Sequence, residues 1–322
     1  MDENKSTRPV SIRLATQKAE TYYRILRDPE DPDYEDAQDE LNRLVWTVIR
    51  QPAGDADDFH NFAVSLAKNG LDYLACDIIS CGLKYYPKNC DLLSDFLQFG
   101  MKCGLRNECE ICFDTLSKIP KRRYTWRGFS FSIAYLKKLV DECETDQEID
   151  ELAGKMLELS DAFLKYLPYD EEAYHSRATV YGVLRDSKRE VETLRQGLDT
   201  LGSAPRCALQ LGDILVDRGE YDSAIQVIQQ GISGNNKDQS SVNEAYMYYL
   251  LGRAKLGCAE KAGTPLKESD LMEIYTAFNT SLSTMDSRSY RETIRNKVIM
   301  LVSKTAFPVS PNLENLYDLV EE

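Results

Sequence analysis

Nine cysteines, two histidines and one basic run are the residues of this 322-residue chain whose chemistry could build a site. Cys109-Glu110-Ile111-Cys112 has the two-residue gap of a zinc knuckle, and Cys76, Cys81, Cys90 and Cys103 lie shortly before it. A structural zinc site pairs two such knuckles, and the sequence holds one. All six cysteines fall on segments of helical rather than loop character. They are therefore expected to be reduced thiols buried as small hydrophobes, with no metal. His60 and His175 remain as candidates for acid–base work, but neither has a nucleophile and an orienting group at a recognisable spacing. No catalytic residue is assigned and no enzyme is expected. Gly197-Leu198-Asp199-Thr200-Leu201-Gly202-Ser203 lacks the lysine of a phosphate loop and follows a helix, so it reads as a helix end, and no cofactor is expected. Lys121-Arg122-Arg123, with Tyr124, Trp126 and Arg127 behind it, reads as a turn between helices; the alternative is a docking patch for an acidic protein segment.

Composition narrows the partners. With 39 Lys and Arg against 53 Asp and Glu the formal charge is −14, and 43% of residues are hydrophobic. That apolar fraction supports a large core. The negative field repels polyphosphate and anionic lipid, so nucleic acid is not an expected ligand. The opening Met1-Asp2-Glu3-Asn4-Lys5 is polar, and no run approaches the ~20 apolar residues of a membrane span. Together with the reduced cysteines this predicts a cytoplasmic protein without membrane insertion.

The elements that carry these residues recur with a fixed period. Residues 56–89 laid over 90–123 pair Phe59 with Leu93, Phe62 with Phe96, Gly70 with Gly104, Ala75 with Cys109 and Ile79 with Phe113, each 34 apart. Residues 171–204 over 205–238 pair Ala178 with Gly212, Tyr181 with Leu215, Leu194 with Ile228 and Gly197 with Gly231 at the same distance. Within each unit the apolar steps of three and four describe two helices split by a short polar turn. Leu211, Gly212, Gly219, Tyr221 and Ala224 in one unit, and Phe59, Phe62, Ala63, Gly70, Ala75, Ile79, Gly82 and Pro87 in another, resemble the tetratricopeptide repeat. The resemblance implies an all-α fold, a right-handed α-solenoid of helix–turn–helix repeats, in which small residues let helix axes approach.

Three parts are expected: an N-terminal helical cap over 1–55, a superhelix of about six repeats with a closing helix over 56–306, and a C-terminal tail over 307–322. The cap holds helices over Val10 to Arg27 and Tyr34 to Arg50, and no segment reads as a strand. The third repeat is irregular, because Pro120 and Pro168 stand 48 apart; longer helices or an enlarged turn around Cys143 to Glu148 accounts for it. Its helices are placed at Thr125 to Asp141 and Gln147 to Leu167. The sixth begins near Ala245, has a swollen turn from Cys258 to Ser269, and a second helix from Asp270 to Leu282. Ser289 to Ala306 closes the array, and Asn235 to Ser241 and the tail are the expected flexible stretches.

In tetratricopeptide proteins the first helices line the concave groove, so the resemblance implies a protein or peptide partner held there. The first-helix residues not needed for packing are His60, Ser94, Gln98, Arg127, Tyr135, His175, Thr179, Arg206, Gln210, Tyr246, Tyr249 and Arg253. His60 and His175 occupy the same repeat position. Some family members clamp a terminal carboxylate with Lys and Asn, but His60 and Val64 stand where that clamp would begin. The expected function is a non-catalytic scaffold or adaptor. The alternatives are a regulatory or peptide-sensing subunit of a larger complex and, behind it, an enzyme with a cryptic site. The tail, with its spaced apolar and acidic residues, reads either as a docking motif or as a segment folding onto its own array.

Overall fold

The computed structural model describes residues 9–234, 241–262, 268–284 and 288–304, which divide into two compact units, 1–166 and 167–322. The first unit holds α1 (Ile12–Ile25), α2 (Tyr34–Arg50), α3 (Ala56–Lys68), α4 (Asp72–Tyr85), α5 (Cys90–Cys103), α6 (Arg106–Ser117), α7 (Trp126–Asp141) and α8 (Asp146–Tyr166). The second holds α9 (Glu171–Val183), α10 (Ser187–Leu201), α11 (Pro205–Asp217), α12 (Tyr221–Gly234), α13 (Ser241–Ala262), α14 (Glu268–Thr284) and α15 (Arg288–Lys304). In each unit consecutive helices pack as hairpins, and first helices also touch the next first helix: α1, α3, α5 and α7 in one series, α9, α11, α13 and α15 in the other. The fold is thus an all-α helical repeat.

Local chemistry sets the boundaries. Asp55 and Asp58 exchange side-chain bonds with each other's backbone N–H as a capping box opening α3, while Asn89, Asp170 and Asp186 cap α5, α9 and α10. Such caps satisfy N–H groups that a helix start leaves without partners, at about 1 kcal/mol each. Four first helices end in one and the same hydrogen bond. The N–H groups of Leu71, Leu105, Asp186 and Glu220 donate to the carbonyls of Leu66, Gly100, Tyr181 and Leu215 at 2.9–3.1 Å. This closure needs a left-handed residue just before the donor. Gly70, Gly104 and Gly219 supply it with φ of 77°, 71° and 72°, and the fourth such residue is Arg185 at φ 56°. A side chain in that region is strained by about 1–2 kcal/mol, part of which glycine returns as unfolded-chain entropy. Arg185→Gly is expected to stabilise the chain by about 0.5–1 kcal/mol, read as a higher urea midpoint at unchanged slope; an unaltered or lower midpoint contradicts the assignment.

Small residues set how closely the helices approach. A Cβ on Gly212 would lie 2.5 Å from Ile228, one on Gly252 2.6 Å from Phe278, and one on Gly231 2.6 Å from the Ala208 Cβ. In α3 the residues spaced by three and four, Phe59, Phe62, Ala63 and Leu66, are buried. Full burial of such a large apolar side chain contributes about 1.5–3 kcal/mol.

Two readings change and one pair of alternatives is decided. Val10–Ser11 (β1) pairs in parallel with Pro52–Ala53 (β2), although no strand was expected there. Two residues are too few to show alternation, and Pro52 hides the second of them. The added length of the third repeat lies in its helices, 16 residues in α7 and 21 in α8, while the connection between them stays short. The supposed swollen turn from Cys258 is helix as far as Ala262, where α13 ends, and residues 263–267 lie outside the described residues. The expected loop from Asn235, up to residue 240, and the tail 307–322 lie outside the described residues, and no described helix is long and apolar enough to cross a membrane.

Candidate functional site

In the first unit the first helices bring His60 (α3), Arg127 (α7) and two unforeseen carboxylates of α5 together. His60 Nδ1 lies 2.5 Å from Asp95 Oδ2, and Arg127 Nη1 lies 2.8 Å from His60 Nε2. Guanidinium can only donate, so Nε2 is the acceptor and the ring proton sits on Nδ1, facing Asp95. Arg127 Nε also stands 3.4 Å from Asp91 Oδ1, to which Thr125 donates at 2.5 Å. Arg127 thereby spans α5 and ties α7 to α3. The Asp95 side chain is 1% exposed, and its Oδ1 has no hydrogen-bond partner among the described residues. Burial pushes the Asp95 carboxyl upward, against the lowering pull of His60 and Arg127. Beside Arg127, the indole of Trp126 is 40% exposed and packs edge-on to Phe131. Gln98 is half-buried.

Two expected groove residues of this unit belong to the core, which corrects the premise that they are free of packing. Ser94 is fully buried and donates to the Cys90 carbonyl at 2.5 Å, and Tyr135 is buried with its ring 5.1 Å from that of Phe113. A tyrosine at this position signals groove and core equally well, which is why spacing alone misplaced it.

The second unit repeats the acid–base theme. Glu171 Oε1 accepts from the backbone N–H groups of Arg206 and Cys207 at 2.5 and 3.0 Å, capping α11 from the preceding first helix. Burial pushes the Glu171 carboxyl up, while these backbone donors lower it. The Arg206 side chain pairs with the buried Glu172, and His175 Nδ1 lies 3.6 Å from Glu172 Oε1. Thr179 donates to the His175 carbonyl, and Gln210 donates to Glu190 at 3.0 Å. Further along, Arg253 sits 2.7 Å from Asp217 and 3.7 Å from Asp213. Lys297 stands over the rings of Tyr246 and Tyr249, 4.7 and 5.8 Å from their centroids. Tyr249 is buried against Phe278, a second correction of the same kind as Tyr135.

Chemically these clusters position charge. Among the described residues the His60 ring nitrogens meet a carboxylate and a guanidinium, not a hydroxyl or thiol, so the pair has an orienter and no nucleophile. The described residues include no group of three His, Cys, Asp or Glu arranged to hold a metal ion. The six cysteines foreseen on helices lie in α4, α5 and α6; five are buried and Cys103 is half-buried. Burial pushes the Cys109 and Cys112 thiols up to about 11 and about 12. Lys121–Arg123 forms the short 3-10 turn between α6 and α7.

The fold is an array of paired helices, with a left-handed turn residue within several pairs and small residues where helices meet. No protein-family model matches the sequence, and no curated protein matches it either. Solved structures do. A thermophilic tetratricopeptide-repeat protein of Thermus thermophilus is 18% identical, with 63% of this chain and 99% of that chain covered at a TM-score of 0.50. A tetratricopeptide repeat protein from Parabacteroides merdae is 12% identical, with 87% and 97% covered at a TM-score of 0.51. At such identities the likeness shows the fold.

Proposed function

We propose that the chain is a non-catalytic scaffold or adaptor that holds a protein or peptide partner in the groove lined by its first helices. The observation that carries the reading is where the polar and aromatic groups stand. His60, Gln98, Arg127, His175, Thr179, Arg206, Gln210, Tyr246 and Arg253 are all partly exposed on α3, α5, α7, α9, α11 and α13. Their charged members are already held by carboxylates of the same or adjacent first helices, so less side-chain entropy is lost when a partner docks. Arginine and tyrosine, which combine large contact area with hydrogen bonds, are the residue types that dominate protein interfaces. The Trp126 indole adds an anchor that helical spacing alone had not separated from a turn residue.

The test begins with affinity capture from cells that make the protein and continues with pairwise binding of the protein recovered. Trp126→Ala and Arg253→Ala remove one exposed and one partly exposed group, one from each unit, and are expected to leave the helical signal intact. At least one is expected to weaken binding by about tenfold or more. Binding unchanged in both variants counts against the first-helix groove.

A further inference from the structure

Charge is spread unevenly along this acidic chain. Residues 115–140 hold seven Lys and Arg and no Asp or Glu, a local charge of +7 against −14 for the whole. That run covers the end of α6, the 3-10 turn and most of α7. The repeat joins a second basic stretch to it: Lys84, in the last turn of α4, and Lys88, just beyond that helix, stand one period of 34 before Lys118 and Arg122. The turns between α4 and α5 and between α6 and α7 lie side by side. Asp91, at the start of α5, accepts from Thr125 at 2.5 Å and stands 3.4 Å from Arg127 Nε at the start of α7. Lys84, Lys88, Lys118, Arg122 and Arg123 are all exposed. None of the five forms an ion pair among the described residues, whereas Lys102, Arg106 and Lys155 of the same unit each meet a carboxylate. Lys121 is the exception in the run: it is half-buried and donates to the Tyr124 hydroxyl at 2.6 Å. Beside these cations two rings are open to solvent, Tyr85 at 60% and Trp126 at 40%.

We propose that the edge of the first unit formed by these two turns is a second docking surface, and that its occupant is an acidic segment of another polypeptide carrying an apolar side chain. The surface is made by helix ends and turns, so it does not depend on a partner in the first-helix groove. Trp126 borders both. Charge complementarity selects the occupant: five cations without partners in two adjacent turns repel one another, and docked carboxylates relieve that repulsion. Equivalent cations recur from one turn to the next at about the 8–10 Å that separates packed helices such as α5 and α7. About three residues of extended chain span that distance. Carboxylates spaced so therefore meet a cation in each turn, while an apolar side chain between them covers Tyr85 or Trp126. A nucleic acid fits less well. It carries a negative charge every ~3.4 Å of each strand, so whatever extends past the two turns runs over a strongly acidic molecule. A polypeptide can confine its acid to the patch.

The full-length chain is titrated into a fluorescent synthetic peptide with glutamate at about every third residue and a central leucine, and into the same peptide with glutamine in place of glutamate. Anisotropy is expected to show saturable binding of the glutamate peptide alone, weakening as salt is added. Arg122→Glu combined with Arg123→Glu is expected to weaken binding about tenfold or more. Lys18→Glu combined with Lys68→Glu makes the same change in net charge at exposed residues away from the two turns, and is expected to leave binding within about twofold of wild type. Trp126 is left in place in every variant. Absence of binding by the glutamate peptide, or equal binding of the glutamine peptide, overturns the proposal on the wild-type chain alone, whatever the variants do. An equal loss in both double variants overturns it too, because net charge and not the edge would then be responsible. A single-stranded oligonucleotide of matching charge that binds as tightly as the glutamate peptide overturns the choice of a polypeptide.

Discussion

Phe129→Ala is expected to lower the unfolding free energy by about 3–5 kcal/mol, the range over which a buried ring-to-methyl change costs stability. Phe129 on α7 is fully buried, and its ring stacks on Phe163 of α8 with centroids 4.8 Å apart and planes 14° from parallel. The ring of Tyr124 also lies beside it, with centroids 5.0 Å apart. The surroundings cannot collapse into the gap. The Tyr124 hydroxyl is held by the Leu116 carbonyl at 2.6 Å, and the ring lies against Gly128, where a Cβ would come within 2.9 Å. Phe163 is anchored in a helix of 21 residues. Urea unfolding followed by circular dichroism checks the value; a loss below about 1 kcal/mol would mean that the site relaxes freely.

His60→Ala is expected to cost about 3 kcal/mol near neutral pH, because it leaves the Asp95 carboxylate buried without its main partner. The cost depends on pH in a definite direction. Burial already places the folded-state pKa of Asp95 above its unfolded value, so folding favours the protonated acid. This contribution is fully present below the unfolded pKa and is lost as pH rises through the folded one. Removing His60 deletes the strongest opposing influence and raises the folded value further. The deficit against wild type should therefore be largest at neutral pH and shrink on acidification. Adding Asp95→Asn to His60→Ala should recover part of the loss at neutral pH. Paired urea titrations of the three proteins at acidic and neutral pH measure it; a deficit independent of pH would show that the lost packing of the imidazole, not the stranded carboxylate, is responsible.

The repeat was legible because its signals are steric and local. Gly70, Gly104 and Gly219 mark turns that demand a left-handed residue, and Gly212 and Gly231 mark contacts that exclude a side chain. Arg185 conceals the fourth turn, since its conformation is imposed by the hydrogen bond that closes α9 and not by its own preference. The position shared by His60 and His175 was also visible, whereas their carboxylate neighbours were not. Asp95, Asp91, Glu172 and Asp217 are four among 53 acidic residues, and nothing adjacent in sequence distinguishes them. A signal did exist at longer range. His60 and Asp95, Asp91 and Arg127, Glu172 and Arg206, and Asp217 and Arg253 are separated by 34–36 residues, one repeat with a small offset. Scanning for opposite charges at that interval would have drawn them out. Ser94, Tyr135 and Tyr249 mark the limit: a residue at the border of a helix face goes to core or groove according to how large its neighbours are, which periodicity does not encode.

The pattern of helix contacts also bears on how the chain is made. Every helix pair in substantial contact is separated by at most one other helix along the chain. A nascent polypeptide emerging from the ribosome therefore gains the partners of each helix within a few dozen residues of synthesis, and ring closure over long stretches never becomes the slow step. Vectorial synthesis should shelter each apolar face soon after it appears, so a stalled or prematurely ended translation product would expose little more than its last helix pair.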